Sequence, residues 1–407
     1  MRNYYKIMDR ILKSEVEEGS VAGNSALVLI DGKEVYYNEF GYADAEKGIP
    51  MKRDTIIRLF SMTKPITAVA TMIAQERGLI DLNDPLSKYL PEYADMKVLK
   101  EVTSNDGEVK YEEVPASRPI TLMNLLTMTS GIPYGEEWEG CSEVGRRMQG
   151  IFEELLTGLN NGERLSTREV VRRISSNPLA FEPGERWMYG LSADIIACVI
   201  EEATGVRFGE FLKKEIFDPL QMSDTGFFVA EEKSGRFAMS YDYYEDENGK
   251  THLTPCDSSH LMENYHEDVA YEAGGCGLVT TIDDYARFAL MLMNGGIYKG
   301  QRIIGSASVK FLATNHLTSA QAAALDWDSN RGYGYGGLMR VLINQGKAGS
   351  QASLGEFGWD GWTGNYFFID PEKKLVMLYF IQKRGANNIA TVRKLRAATY
   401  GALDELV

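Results

Sequence analysis

Apolar positions recur at helical spacing through the first eighteen residues, at Tyr5, Met8, Ile11 and Leu12. The pattern then changes to the run SALVLI, an Asp31-Gly32 pair and KEVYYNEFGYAD. That change predicts a helix followed by a hairpin, because Asp-Gly tolerates the positive φ values of a tight turn. After Phe60 the helical period returns in PITAVATMIAQERG and stops at Gly78. DLNDPLSKYLPEY reads as a Pro-punctuated loop, and VLKEVTSNDGEVKYEEVP as a second hairpin around another Asp-Gly. ITLMNLLTMTSG predicts a short apolar helix ending at Gly131. The polar stretch 134–177 holds helical pieces at IFEELLTGL and STREVVRRI. SADIIACVIEEATG is an amphipathic helix with a Gly stop, followed by a helical VRFGEFLKKEIFDPL. Residues 231–268 are Tyr-rich, acidic and short of aliphatics, which predicts a long surface excursion. GGCGLVTTIDDYARFALMLMNGG returns to a capped helix. YGYGGLMRVLI, GNYFFID and LVMLYFIQ read as antiparallel strands, and a final helix covers 386–405.

This order predicts an α/β (α+β) fold in which an antiparallel sheet flanked by helices is built from both chain ends. Residues 1–80 and 270–407 form the sheet domain on this reading. Residues 81–269 form a mostly helical inserted domain with loops.

The chain has 407 residues, 44% of them hydrophobic and 25% charged, so it can bury a large core and shows no sign of disorder. Its net charge of −15 disfavours nucleic acid and anionic membranes as partners. Cys141, Cys198, Cys256 and Cys276 form no C-x-x-C pair and read as free thiols. The four histidines, His252, His260, His266 and His316, form no H-E-x-x-H. Neither a metal nor a cofactor is therefore expected. No signal-like h-region stands at the N-terminus, and no run of about 18 apolar residues occurs. A cytoplasmic protein is the expectation, with its oligomeric state open.

Three motifs carry candidate chemistry. Ser61-Met62-Thr63-Lys64 opens the first apolar helix and puts a hydroxyl and an amine on one helix face. Pro65 fits there because the first helical turn has spare N–H groups. A neutral amine three residues from a hydroxyl is a working general base. A chain with this many serines and lysines carries about one S-x-x-K by chance. No G-x-S-x-G elbow is present. PGERWMYGLSAD places Tyr189 in a loop entering a helix, where a phenol can relay a proton. GEFGWDGWTGNYFF places glycines before a strand, where substrate can approach the backbone and an edge N–H can stabilise an oxyanion. Taken singly, each has an ordinary structural explanation: a helix start with an N-cap-like serine, a packing tyrosine and a Gly-rich hairpin.

Taken in order, F-S-M-T-K, then W-x-Y, then G-W-x-G before a strand resembles the class C β-lactamase and penicillin-recognising serine hydrolase superfamily. LIDLNDPLSKYLPEY, ITLMNLLTMTSGI, GGCGLVTTIDDYARF and FFIDPEKKLVMLYF are similar to it as well, so the resemblance spans roughly residues 20–385. The resemblance implies that Ser61 forms an acyl-enzyme and that Lys64 takes its proton. Tyr189, held near Lys64, would pass a proton to the leaving group. The backbone N–H groups of Ser61 and Trp362 would form the oxyanion hole.

Two departures bear on substrate. Leu191 stands where β-lactamases and D,D-peptidases usually carry Asn. Trp359-Asp360-Gly361, the expected substrate-binding strand, stands where they carry Lys-Thr-Gly or His-Thr-Gly. The missing cation normally holds a substrate carboxylate. Both departures resemble the family VIII carboxylesterases, although Asp360 replaces a small residue there. A carboxylesterase on small or short-chain uncharged esters is thus the leading expectation. A β-lactamase or D-amino-acid peptidase is the alternative, with Lys383 or Arg384 supplying the charge. Acyl transfer to a specific acceptor and a catalytically silent binding protein stand behind these. The insertions 134–165 and 231–268 are expected to line the site mouth, with Tyr134, Trp138, Tyr241, Tyr243 and Tyr244 as candidate wall residues.

Overall fold

A computed structural model describes residues 4–103, 107–256, 265, 268–386 and 388–406. Its centre is one antiparallel sheet of eight strands, and the strand order reveals how the two chain ends meet. From one edge the strands run Tyr333–Tyr335, Arg340–Leu342, Phe357–Asp360, Tyr366–Asp370 and Leu375–Ile381. Gly23–Ile30, Lys33–Asp44 and Ile49–Pro50 complete it. The halves join where Gly23–Ile30 pairs with Leu375–Ile381, from Asn24 opposite Ile381 to Ile30 opposite Leu375. This is the predicted sheet built from both ends.

These central strands read as nearly continuous apolar runs because both faces are covered. Ala26, Val28, Met377 and Tyr379 point to one face, where the terminal helices Tyr4–Glu17 and Ile389–Leu406 pack through Met8, Leu12, Val392 and Leu395. Leu27, Leu29, Val376, Leu378 and Phe380 point to the other, against helices Lys64–Glu76 and Ile282–Met293. The period of two thus splits one strand between two cores.

The first hairpin turns at Asp31 and Gly32, with φ of 49° and 74°, as the Asp-Gly pair predicts. The second pairs Lys97–Thr103 with Val109–Pro115; its Asp106 lies outside the described residues. The helix expected to reach Gly131 spans only Leu122–Leu126. Met128 adopts φ 55°, a left-handed conformation that ends the helix early and turns the chain towards the site. Part of the 231–268 excursion forms a hairpin, Tyr241–Glu245 with Thr251–Pro255. Residues 257–264 and 266–267 of that excursion, including His260 and His266, lie outside the described residues. Among the described residues no helix is long and apolar enough to cross a membrane.

Leu378 sits fully buried at the junction, opposite Leu27 on one side and Phe367 on the other. Leu378→Ala is expected to cost about 3 kcal/mol by leaving a cavity there, read as a lower midpoint in denaturant unfolding.

Candidate active site

The nucleophile candidate sits on a segment pinned from several directions. Ile57–Arg58 pairs with Val279–Thr280, and Leu59 N donates to Leu278 O at 2.9 Å. Asn365 Nδ2 donates to Arg58 O at 2.8 Å. A Cβ on Gly361 would lie 2.4 Å from Leu59 O, so only glycine lets the third motif come this close to the chain before Ser61. Phe60 then takes φ 46°, a strained conformation for an aromatic residue, and Phe60–Thr63 forms a 3-10 turn leading into helix Lys64–Glu76. Pro65 occupies the first turn of that helix.

Lys64 is fully buried, and its Nζ donates to Ser61 Oγ at 3.1 Å, Tyr134 OH at 3.0 Å and Gly275 O at 2.9 Å. These three contacts fix the amine beside the serine. Burial pushes the Tyr134 phenol well above its ordinary range, so it stands beside the amine as a neutral hydroxyl. Tyr189 presents its ring to the same amine, 4.6 Å from Nζ, while its hydroxyl accepts from Trp359 Nε1 at 3.2 Å. Its ring also packs against Trp187, Trp327 and Trp359. Ser61, Lys64, Tyr189 and Trp359 therefore meet at one place. The hydroxyl on Lys64 belongs to Tyr134, however, which the sequence pointed to only as a wall residue. Its available signal was SGIPYG, where Gly131 and Pro133 force the chain leaving the short helix to turn.

Ser61 opens into a cavity of about 520 Å³. Phe60, Tyr134, Tyr189, Leu191, Tyr271, Cys276 and Trp362 line it, and helix Glu143–Asn160 closes one side with Phe152 and Leu156. Its wall also carries the side chains of Glu137, Gln149 and Glu153. Trp138 belongs to this wall as well. Tyr241 is instead buried, its hydroxyl donating to Glu46 Oε2 at 2.8 Å and accepting from Ala45 N. Tyr243 donates to Gly385 O, and Tyr244 stacks on His252.

The residues of the third motif split between the two faces of the strand. Trp359 stands opposite Phe367 on the face that packs against helix Lys64–Glu76. Asp360 stands opposite Tyr366, whose ring belongs to the terminal-helix face. Asp360 Oδ2 accepts from Arg340 Nη1 at 2.7 Å. The Arg340 guanidinium is itself buried and lies 4.6 Å from the Tyr366 ring. Trp362 packs edge-on against Phe60 at the cavity mouth, with Arg384 5.0 Å from its ring. Arg384 Nε is ion-paired with Asp242 at 2.7 Å, and Lys383 lies 3.9 Å from the Tyr243 ring. Among the described residues no group of three or more His, Cys, Asp or Glu side chains is placed to hold a metal ion.

Asp360→Asn would leave Arg340 a buried charge without its counter-ion. Because Asp360 is about a third exposed, the expected cost is about 2 kcal/mol, read as a fall in the thermal unfolding midpoint.

With this geometry in view, the comparisons with known proteins are direct. A family model described as Beta-lactamase matches residues 8–402. Esterase EstB of Burkholderia gladioli is 30% identical over 389 residues, covering 91% of this chain and 88% of that protein. A lovastatin esterase of Penicillium rubens is 29% identical over 392 residues, covering 92% of each. The solved structure of EstCE1, a hydrolase with promiscuous acyltransferase activity, superposes with a TM-score of 0.77 at 23% identity, covering 98% of each chain.

Proposed function

The chain belongs to the beta-lactamase family of serine hydrolases, and on that premise we propose that it is a carboxylesterase acting on uncharged esters with small or short-chain acyl groups. The observation that carries this reading is the charge around the cavity. Arg340 is paired with Asp360, and Arg384 with Asp242. The cavity wall itself carries Glu137 and Glu153. Among the described residues, a substrate carboxylate, as in a penicillin or a C-terminal peptide, meets no cation on that wall and two acidic side chains instead. A neutral ester loses nothing by entering an apolar cavity lined by Phe152, Leu156 and Leu191. Two relatives that match nearly the whole chain carry the name esterase.

In the proposed reaction Ser61 Oγ attacks the ester carbonyl carbon and its proton passes to Lys64 Nζ, already within hydrogen-bond reach. The carbonyl electron pair moves onto oxygen, where the backbone N–H groups of Ser61 and Trp362 would receive it. Each such donor is worth about 3 kcal/mol. Collapse expels the alkoxide, which takes a proton from the Lys64–tyrosine cluster. Water then enters, loses a proton to the same cluster as its oxygen bonds to the acyl carbon, and the C–Oγ bond breaks; Ser61 Oγ takes that proton back and the acid leaves. Tyr134 holds the amine in place, and Tyr189, with its ring over the amine, lies beside the path of the leaving group.

The test is a panel of p-nitrophenyl acetate and butyrate, a chromogenic cephalosporin and D-alanyl amides. The esters are expected to turn over, and Ser61→Ala to lower kcat/KM at least about a thousandfold. Efficient cephalosporin or amide turnover with poor ester turnover would overturn the reading. Phe152→Ala enlarges the cavity and is expected to shift the preferred p-nitrophenyl ester towards longer acyl chains, measured as the ratio of kcat/KM for hexanoate and acetate.

A further inference from the structure

Asp194 lies in the first turn of helix Ser192–Thr204, five residues after Tyr189, and is fully buried. A buried carboxylate is costly unless its surroundings compensate it. Its Oδ1 accepts from Gly275 N and from Tyr271 OH, both at 3.1 Å. Its Oδ2 has no hydrogen-bond partner among the described residues. The same Gly275 offers its carbonyl to Lys64 Nζ at 2.9 Å. One residue therefore touches the carboxylate with its N–H and the catalytic amine with its C=O.

The approach is as close as a backbone permits. A Cβ on Gly275 would lie 2.4 Å from Asp194 Oδ2, and one on Gly274 would lie 2.5 Å from Ala193 O. Gly274 O also accepts from Thr67 Oγ1 at 2.6 Å. The two glycines are thus clamped between the catalytic helix and the helix that carries Asp194. Among the described residues, the hydrogen-bond partners and rings at Lys64 Nζ are Ser61, Tyr134, the Tyr189 ring and the Gly275 carbonyl, none of them anionic. When Lys64 takes the proton of Ser61, a cation appears in a site walled from water. A cation formed during reaction needs a fixed negative charge close by, already oriented.

We propose that Asp194 is the positioning and counter-charge residue for Lys64: it holds the Gly275 backbone that orients the amine and stabilises the ammonium formed as Ser61 attacks. The proposal rests on the reading of Ser61 as nucleophile and Lys64 as base. Asp194 gains and loses no proton in the cycle. The proton moves from Ser61 Oγ to Lys64 Nζ and onwards to the leaving alkoxide, while Asp194 stays a carboxylate. Burial leaves the Asp194 carboxyl above its ordinary value, with the Lys64 charge and the two donors offsetting part of the rise. The titratable groups facing the pair are Tyr134, Tyr189, Tyr271, Cys198 and Cys276. Burial raises Tyr134, Tyr271 and the Cys198 thiol.

The sign of the effect follows. The attack needs the amine unprotonated, so the rate rises with pH through an acidic limb. A carboxylate close to a base favours its protonated form. Asp194→Asn removes the charge at nearly constant shape, so the limb is expected about one pH unit lower and the plateau about tenfold lower. The measurement is the second-order rate of Ser61 labelling by a fluorophosphonate probe between pH 5 and 10, on the full chain, beside kcat/KM for p-nitrophenyl butyrate. A plateau that falls while the limb stays put means a merely structural role and overturns the proposal. Should Asp194→Asn not fold, Tyr271→Phe removes one of the two donors to the carboxylate and is expected to move the limb the same way by less; an unmoved limb again overturns it. Wild-type protein that the probe labels at no pH, or only at another residue, overturns the assignment of Ser61 and Lys64 itself, a failure distinct from an unmoved limb.

Discussion

The structure depends on keeping one amine out of water. Lys64 is enclosed on every side, and its contacts are Ser61 one turn before it and two distant segments: Tyr134 after the short helix, and Gly275 from the double-glycine segment. A buried lysine without partners would be strongly destabilising, so these contacts must form together with the fold. Once they do, the amine has a single orientation, and that orientation places it against Ser61. The strained Phe60 just before the serine is tolerated because Leu278, Asn365 and Gly361 hold the segment from the sheet side.

The sheet makes this possible by bringing both chain ends together. Pairing Gly23–Ile30 with Leu375–Ile381 places the third motif, two strands away, beside the turn that carries Ser61. The helical segments between then close the cavity from the opposite side, with Tyr134, Leu191 and the Phe152–Leu156 face of one helix. On the proposed function, acyl chemistry and acyl selection are supplied by different parts of the chain: rigid elements hold the reacting atoms, and the helix Glu143–Asn160 with its approach loop shapes the space around them.

Charge pairing explains the odd third motif. Along the chain, Asp360 stands in the third motif where a small residue is expected. The pleat turns it to the terminal-helix face, where Arg340 takes up its charge. Arg384, a candidate for the missing cation, does reach the neighbourhood of Trp362 but is held by Asp242. Both arginines sit near the motif, and both are neutralised by a local carboxylate.

Local pattern alone determined much of this. The first helix, both Asp-Gly hairpins, the catalytic helix and the continuous apolar strands were legible, because each follows from side-chain periodicity and turn chemistry over a few residues. The Ser61–Lys64 pair was legible for the same reason, since a helical turn sets its geometry. What only the tertiary structure decided are contacts between segments far apart in sequence. Tyr134 meets Lys64 across 70 residues, Asp194 meets Gly275 across 81, and Asp360 finds Arg340 on a neighbouring strand. No local spacing encodes these partners. Many tyrosines and aspartates in the chain are chemically equivalent until packing selects one, and burial then gives the selected group a strength that it lacks in water.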